Sequence, residues 1–239
     1  MASSPVFAVA RAIPHFWARS TRKGSRSKAK VRAPADWRRI LRRAESLVRK
    51  RDRRALDLLL PALRWRDLKA RNRAVVLLGR LGPIAFQALL TVLDDARTAA
   101  ERGGAADALG RIGDSRAVSR LLRALEDPAM TVRRTSMVAL LRLEAMNAVP
   151  RIARLLEEDE SGGVRVIAAG VLGKFEDPRA VSALVRALGD AQWYVRQASA
   201  TALGQIGDQR AIAALEKATR DPRKSVARAA AAALRALRA

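Results

Sequence analysis

A seven-residue phrase returns along this chain about every 31 residues: LLGRLGP at 77–83, ALGRIGD at 108–114, ALLRLEA at 139–145, VLGKFED at 171–177 and ALGQIGD at 202–208. The successive steps are 31, 31, 32 and 31 residues. A fixed period in this range marks an array of units, each burying its apolar face only against its neighbours. Function in such a chain is expected on long stacked surfaces, not in the pocket of a compact enzyme.

Charge is the second constraint, and its distribution matters more than its size. The chain of 239 residues carries a formal net charge of +24. Residues 1–80 hold 23 Lys/Arg against 5 Asp/Glu, so three quarters of the excess lies in the first third. A basic, asymmetric chain points to a polyanionic partner, reached by phosphate neutralisation and counterion release. The 39 arginines against 8 lysines fit a GC-rich coding bias, but that bias does not thin out the carboxylates near the amino terminus. Without cysteine there are no disulfides and no thiolate chemistry, and the one histidine is His15. No apolar run approaches the roughly 18–20 residues of a membrane span.

Residues 1–34 contain no Asp or Glu, three prolines and a Ser/Arg/Lys-rich run. They read as a basic tail, disordered or loosely docked, with an apolar patch at Val6, Phe7, Val9, Ile13, Phe16 and Trp17. A cytoplasmic location is expected, or import into an organelle if this tail is a transit peptide. The array itself is expected over 35–239, starting near Asp36.

One unit can be followed at 114–145. Ala117, Val118, Leu121, Leu122 and Leu125 form the apolar face of a first helix over 116–125. Asp127-Pro128 ends it, with the proline suited to the first position of the next helix. That second helix, over 129–143, is expected to bury Val132, Ser136, Ala139, Leu140 and Leu143. Gly113-Asp114 and Gly207-Asp208 supply a helix stop followed by a cap.

The spacing Asp-x4-Val-Arg recurs at 127–133, 159–165 and 190–196, and Arg-Ala-Val recurs at 116–118 and 179–181. Together with the ALGxIGD phrase, these offsets strongly resemble HEAT repeats, of the short type first associated with phycobilisome lyases. The resemblance covers residues 36–239 and implies an all-α fold: a right-handed α-solenoid, or superhelix, of about six to seven two-helix repeats. It weakens at Arg39-Ile40, Glu101-Arg102 and Val226-Ala227, which depart from Val-Arg.

The arginine column Arg71, Arg102, Arg133, Arg165 and Arg196 looks like a phosphate ladder. Its structural reading is stronger, because the later members sit six residues after an Asp and the resemblance implies hydrogen bonds there that tie units together. The resemblance also implies that second helices line a concave groove. Its lining would include Arg38, Arg42, Lys69, Arg73, Arg134, Gly163, Ile167, Trp193, Tyr194 and Gln197. Gly103-Gly104 and Gly170 each weaken a helix by ~1 kcal/mol relative to alanine. They therefore mark close approach of a partner backbone or tight packing between units. Trp193-Tyr194 reads as an anchor for a protein or a stacked base, or as packing. An outer column of Arg123, Arg154, Arg186 and Lys217 reads as a solvated face.

Arg43, Arg49, Lys50 and Arg51 belong to a dense basic cluster over 38–54, and Arg22, Lys23, Arg26 and Lys28 lie in the tail. These eight are the candidate contacts to an anionic partner: RNA, the ribosome or DNA. No groove-reading motif accompanies them, so contact is expected to be with phosphate. Catalysis finds little support, and no cofactor or metal is expected. The His-Glu pairs of iron-dependent HEAT-repeat hydroxylases are missing, and casting Asp107, Arg134 and Trp193 as a HEAT-like DNA glycosylase site rests on fold analogy. The expected function is a non-catalytic scaffold or adaptor with a protein or peptide partner in the groove. A primarily nucleic-acid-binding protein is the alternative. The last helix keeps an apolar row at Val226, Ala230, Ala233, Leu234 and Leu237, which suggests that this end meets a partner or a second copy.

Overall fold

Helix follows helix from Trp37 onward, because each 31-residue period holds two apolar stripes at helical spacing separated by a capping turn. The computed structural model describes residues 32–238, among which there are thirteen α-helices and no strand. The tail residues before Arg32, including Arg22, Lys23, Arg26 and Lys28, lie outside the described residues. The chain divides into two compact bodies between Arg120 and Leu121.

The first body contains α1 (Trp37–Arg49), α2 (Ala55–Ala62), α3 (Leu68–Leu81), α4 (Pro83–Asp95) and α5 (Ala99–Ile112). Helix α1 packs on α2 and α3, α3 packs on α5, and α4 packs on α5. Asp67 caps α3 by accepting from the Ala70 N–H at 2.9 Å, and the Thr98 hydroxyl caps α5 by accepting from the Glu101 N–H at 3.3 Å while donating to the Glu101 carboxylate at 2.6 Å. The division falls within α6 (Val118–Arg123).

The second body continues with α7 (Met130–Arg142), α8 (Val149–Glu158), α9 (Gly162–Phe175), α10 (Val181–Ala187), α11 (Trp193–Ile206), α12 (Ile212–Ala218) and α13 (Lys224–Arg238). The second helices of the pairs stand side by side, α7 on α9, α9 on α11 and α11 on α13. The first helices back them, with α8 against α9 and α10. Counting α2/α3 through α12/α13 gives six pairs, with α1 as an unpaired helix in front, within the expected six to seven.

The repeated phrase has two separable jobs. Its first glycine sits where consecutive second helices meet. A Cβ at Gly173 would lie 2.8 Å from the Ala202 Cα, one at Gly204 2.9 Å from the Ala233 Cα, and one at Gly79 2.7 Å from the Arg111 Cβ. Its second glycine ends the helix with positive φ, at Gly113 (79°) and Gly207 (74°). Glu144 and Glu176 take that left-handed conformation in the two units that lack the glycine, at φ 50° and 52°.

Three local expectations change. The first helix of the unit at 114–145 is broken into a 3-10 turn, α6 and a second 3-10 turn. Pro128 does not open α7, which starts at Met130. Instead the Asp127 carboxylate accepts from the Ala129 N–H at 2.8 Å and forms the turn itself. In the last helix Val226, Ala230, Ala233 and Leu234 are already buried, because α13 packs on α11 and α12, and of that row only Leu237 stays half-buried. The other core expectations stand: Val132, Ser136, Ala139 and Leu140 are buried, and Leu143 is half-buried as the cap of α7.

Candidate functional site

The arginine column is committed to the fold. Arg133 sends Nε and Nη2 to the Asp159 carboxylate of the next unit at 2.7 and 2.9 Å, and Nη1 to its own Asp127 carbonyl at 2.9 Å. Arg165 repeats this with the Asp190 carboxylate (2.7 and 3.0 Å) and the Asp159 carbonyl (2.7 Å). Arg196 does so with Asp221 (2.7 and 3.0 Å) and the Asp190 carbonyl (2.9 Å). Each bidentate fork therefore reaches forward one unit, and the Asp six residues earlier contributes only its backbone carbonyl. The same carboxylates also accept from Ser161, Gln192 and Arg223 backbone N–H groups.

Electrostatics follow this geometry. Burial pushes the Asp190 carboxyl up, but hydrogen bonds from Arg165 and Gln192 and the charges of Arg165 and Arg196 outweigh it and hold the group below its ordinary value. Asp221 is lowered chiefly by its hydrogen bond from Arg196. On the first-helix side, the Asp177–Arg179 and Asp208–Arg210 forks act alike, and the Arg210 fork brings Asp208 down to about 2. Arg179 and Arg210 also donate back to the Met146 and Pro178 carbonyls at 3.0 and 3.1 Å. The outer column is likewise engaged, with Arg154 bound to Glu158 and Arg186 to Glu157.

With those arginines occupied, the face available for recognition in the second body is a set of i, i+4, i+8 stripes. They are Met130–Arg134–Val138 on α7, Gly162–Val166–Gly170 on α9, Trp193–Gln197–Thr201 on α11 and Lys224–Arg228–Ala232 on α13, every residue at least part-exposed. The glycines here part company. A Cβ at Gly162 would strike the Tyr194 hydroxyl at 2.5 Å, whereas one at Gly170 would meet nothing within 4 Å, and one at Gly163 only the Ser161 Oγ at 3.4 Å. In the first body Gly103 is buried and a Cβ at Gly104 would lie 2.9 Å from a Leu63 methyl, so packing accounts for that pair.

The aromatic pair also divides. Tyr194 is half-buried and leans on Gly162, while Trp193 stays 40 % exposed, with Tyr194 edge-on at 5.8 Å and the Arg223 guanidinium 5.9 Å from its ring centroid. Met130, the other large exposed apolar residue at a second-helix start in this body, accepts a hydrogen bond from Ser161 at its sulfur. Ile167 and Gln197 are half-buried, as is Arg134.

The remaining groove candidates lie in the first body. Arg38, Arg42 and Lys69 are exposed; Arg73, also exposed, donates to Glu45 at 2.7 Å and so ties α3 to α1. Arg49 and Arg80 approach the same carboxylate at 3.7 and 3.8 Å, and the Arg73 hydrogen bond leads in lowering Glu45. Arg43, Lys50 and Arg51 are exposed, as are Arg39 and Arg53, and none of the five forms an ion pair among the described residues. Asp107 is half-buried and bound to Arg111 at 3.3 Å. No group of His, Cys, Asp or Glu among the described residues is arranged to hold a metal ion, and no helix among them is long and apolar enough to cross a membrane.

The α13 stripe was not among the sequence candidates, because Val226-Ala227 breaks the Val-Arg pair. Val226 alone keeps the register, and it would have located Lys224 and Arg228.

Residues 86–161 and 148–235 match the family described as HEAT repeats. The structure resembles a designed armadillo repeat protein in complex with the peptide (KR)4 (22% identity over 76% of this chain and 99% of that chain, TM-score 0.54). It also resembles computationally designed armadillo repeat proteins for modular peptide recognition (20% identity, 76% and 99% covered, TM-score 0.50). The CpcE–CpcF complex of phycocyanin lyase from Nostoc sp. PCC7120 aligns at 20% identity over 90% of this chain and 98% of that chain, with a TM-score of 0.45. At these identities the likeness is one of fold. Among curated proteins none matches the chain.

Proposed function

This chain belongs to the HEAT-repeat family, and from that premise we propose that it is a non-catalytic binding scaffold. The second-helix face of residues 121–238 takes a protein segment or peptide. The observation that carries this reading is the open space above Gly170 on α9, with the exposed Trp193 on α11, the helix packed against it. A helix glycine that nothing packs against leaves room for a partner backbone, and an exposed tryptophan on the adjoining helix supplies an anchor. Designed armadillo proteins made for peptide recognition use a related fold, which supports the plausibility of such a face and nothing finer.

A second contact is proposed for the first body. The cations of α1 and the turn after it that form no ion pair among the described residues, Arg38, Arg39, Arg42, Arg43, Lys50, Arg51 and Arg53, favour a polyanion such as RNA, the ribosome or DNA. Phosphate contact without base reading fits a helix whose basic residues lie on several faces.

Affinity capture on the intact protein, with and without nuclease, tests both contacts. We expect a stoichiometric protein partner to survive nuclease, to be lost with Trp193→Ala or Gly163→Arg, and to persist when Arg38, Arg42, Arg49 and Arg51 are neutralised. Loss of every partner on nuclease treatment would replace the scaffold reading with a nucleic-acid-binding one.

A further inference from the structure

The four second helices of the second body, α7, α9, α11 and α13, contain ten Lys/Arg and not one Asp or Glu; all thirteen carboxylates of residues 121–239 lie in turns, caps and first helices. Such segregation gives the stripe face a more positive potential than the body's overall 19 Lys/Arg against 13 Asp/Glu would suggest. Three of the ten cations, Arg133, Arg165 and Arg196, are consumed by the turn aspartates. On the stripe itself two guanidiniums remain, at the same register position of the first and last helices of the row: Arg134 on α7 and Arg228 on α13.

Arg134 is the more telling. It is half-buried, its Nε is fully enclosed without a hydrogen-bond partner, and it has no ion pair among the described residues. A guanidinium partly withdrawn from water and left unmatched calls for an anion from outside the chain. Arg228 is exposed and bonded only to the Lys224 carbonyl, with Lys224 and Arg223 beside it toward Trp193. Between the two arginines, the same register position holds Val166 on α9 and Gln197 on α11, neither of them charged.

Resting on the peptide-binding reading above, we infer that the partner segment is an extended acidic peptide, with carboxylates at both ends that pair with Arg134 and Arg228 and an uncharged, small or apolar centre over Val166, Gly170 and Trp193. Packed helices lie about 8–10 Å apart, so the two guanidiniums are separated by roughly 25–30 Å, which about eight or nine extended residues span. The Gln197 side-chain amide has no hydrogen-bond partner among the described residues and can serve the peptide backbone midway. A nucleic-acid strand is disfavoured on this face, because a strand needs cations all along its track and the middle of the row offers none. A basic peptide would meet no carboxylate on any of the four helices.

Selection of a displayed library of random twelve-residue peptides on the intact protein tests the inference. Enriched peptides should carry Asp or Glu toward both ends around a small or apolar centre. A synthetic peptide of that class should bind roughly ten-fold more weakly to Arg134→Gln and to Arg228→Gln, as expected for loss of one charge-assisted hydrogen-bonded pair each. Arg134→Lys should recover part of the loss, and thermal melting confirms that each variant is folded. The double charge reversal Arg134→Glu with Arg228→Glu should turn the selection toward basic peptides. Enrichment of peptides without acidic ends, or unchanged affinity in both Gln variants, overturns the inference while leaving peptide binding intact. Enrichment of no peptide at all removes the peptide-binding reading, and the inference with it. Displacement of the bound peptide by a twelve-residue oligouridine at equal salt and lower concentration assigns the face to nucleic acid instead.

Discussion

The two bodies handle their arginines in opposite ways. In the second body the column arginines Arg133, Arg165 and Arg196 are matched one for one by turn aspartates of the following unit, so charge holds the units in register. In the first body the arginines of α1 outnumber their carboxylates, and Glu45 alone serves Arg49, Arg73 and Arg80. The lesson is that an arginine count says little about binding until each guanidinium's partner is known. Paired and part-buried, it belongs to the fold; unpaired, it is free for the anion contacts proposed above.

Acid should break the second body's ladder most completely. Asp177, Asp190, Asp208 and Asp221 all titrate below their ordinary value in the fold, whereas in the unfolded chain they titrate near about 3.9. Between those values the unfolded chain binds more protons, so this stabilisation is complete above about pH 4 and is lost as pH falls, with Asp208 the last to protonate at about 2. Circular dichroism against pH should place the loss of helix in that window; helix lost mainly above pH 5 would contradict it.

Asp190→Ala removes one rung and leaves Arg165 without its carboxylate in a part-buried setting, a change expected to cost about 3 kcal/mol. Urea unfolding with hydrogen exchange should localise the effect to the second body. Glu45→Gln in the first body, where the arginines around it are better solvated, should produce a clearly smaller change. Equal losses would erase the contrast between the two bodies.

Within α9 the comparison narrows to two glycines three residues apart. Gly173→Ala drives a methyl onto the Ala202 backbone and should cost about 2 kcal/mol. Gly170→Ala enters open space and should stabilise the helix by about 0.5–1 kcal/mol while weakening partner binding. Thermal melts of both variants decide it, and a destabilised Gly170→Ala would mean that the space over α9 is not free.

Neutralising Arg38, Arg39, Arg42 and Arg43 should leave the melt of the second body unchanged. It should also flatten the salt dependence of polyanion binding, by about 0.7–0.9 in the log–log slope for each phosphate that is no longer neutralised. A slope that does not move would place the polyanion elsewhere. The smallest effect is expected from Glu144→Gly and Glu176→Gly, which relieve a left-handed residue and should raise stability by about 0.5–1 kcal/mol each.

Much of this fold was legible in the chain because its signals are local. The αL stop at Gly113 and the cap at Asp114 are set by residues one or two apart, so the turns could be read directly. The candidate face was legible only in part. The glycines at 163, 170 and 173 look alike in sequence, and only the position of the neighbouring helix separates an open surface from a crossing point. The Trp193-Tyr194 dipeptide behaves the same way, since adjacent helix residues point about 100° apart: Tyr194 lies against Gly162 of α9 while Trp193 stays exposed. Arg134 and Arg133 are likewise adjacent, and one is paired while the other is not.

The sequence by itself determined the helix pairs, their period, their stops and the family, because periodic burial and capping act over a few residues and repeat without change. Only the tertiary structure decided which arginines are engaged and which are free. A guanidinium's partner lies some 25 residues away in the next unit, and pairing across that distance depends on how the units stack.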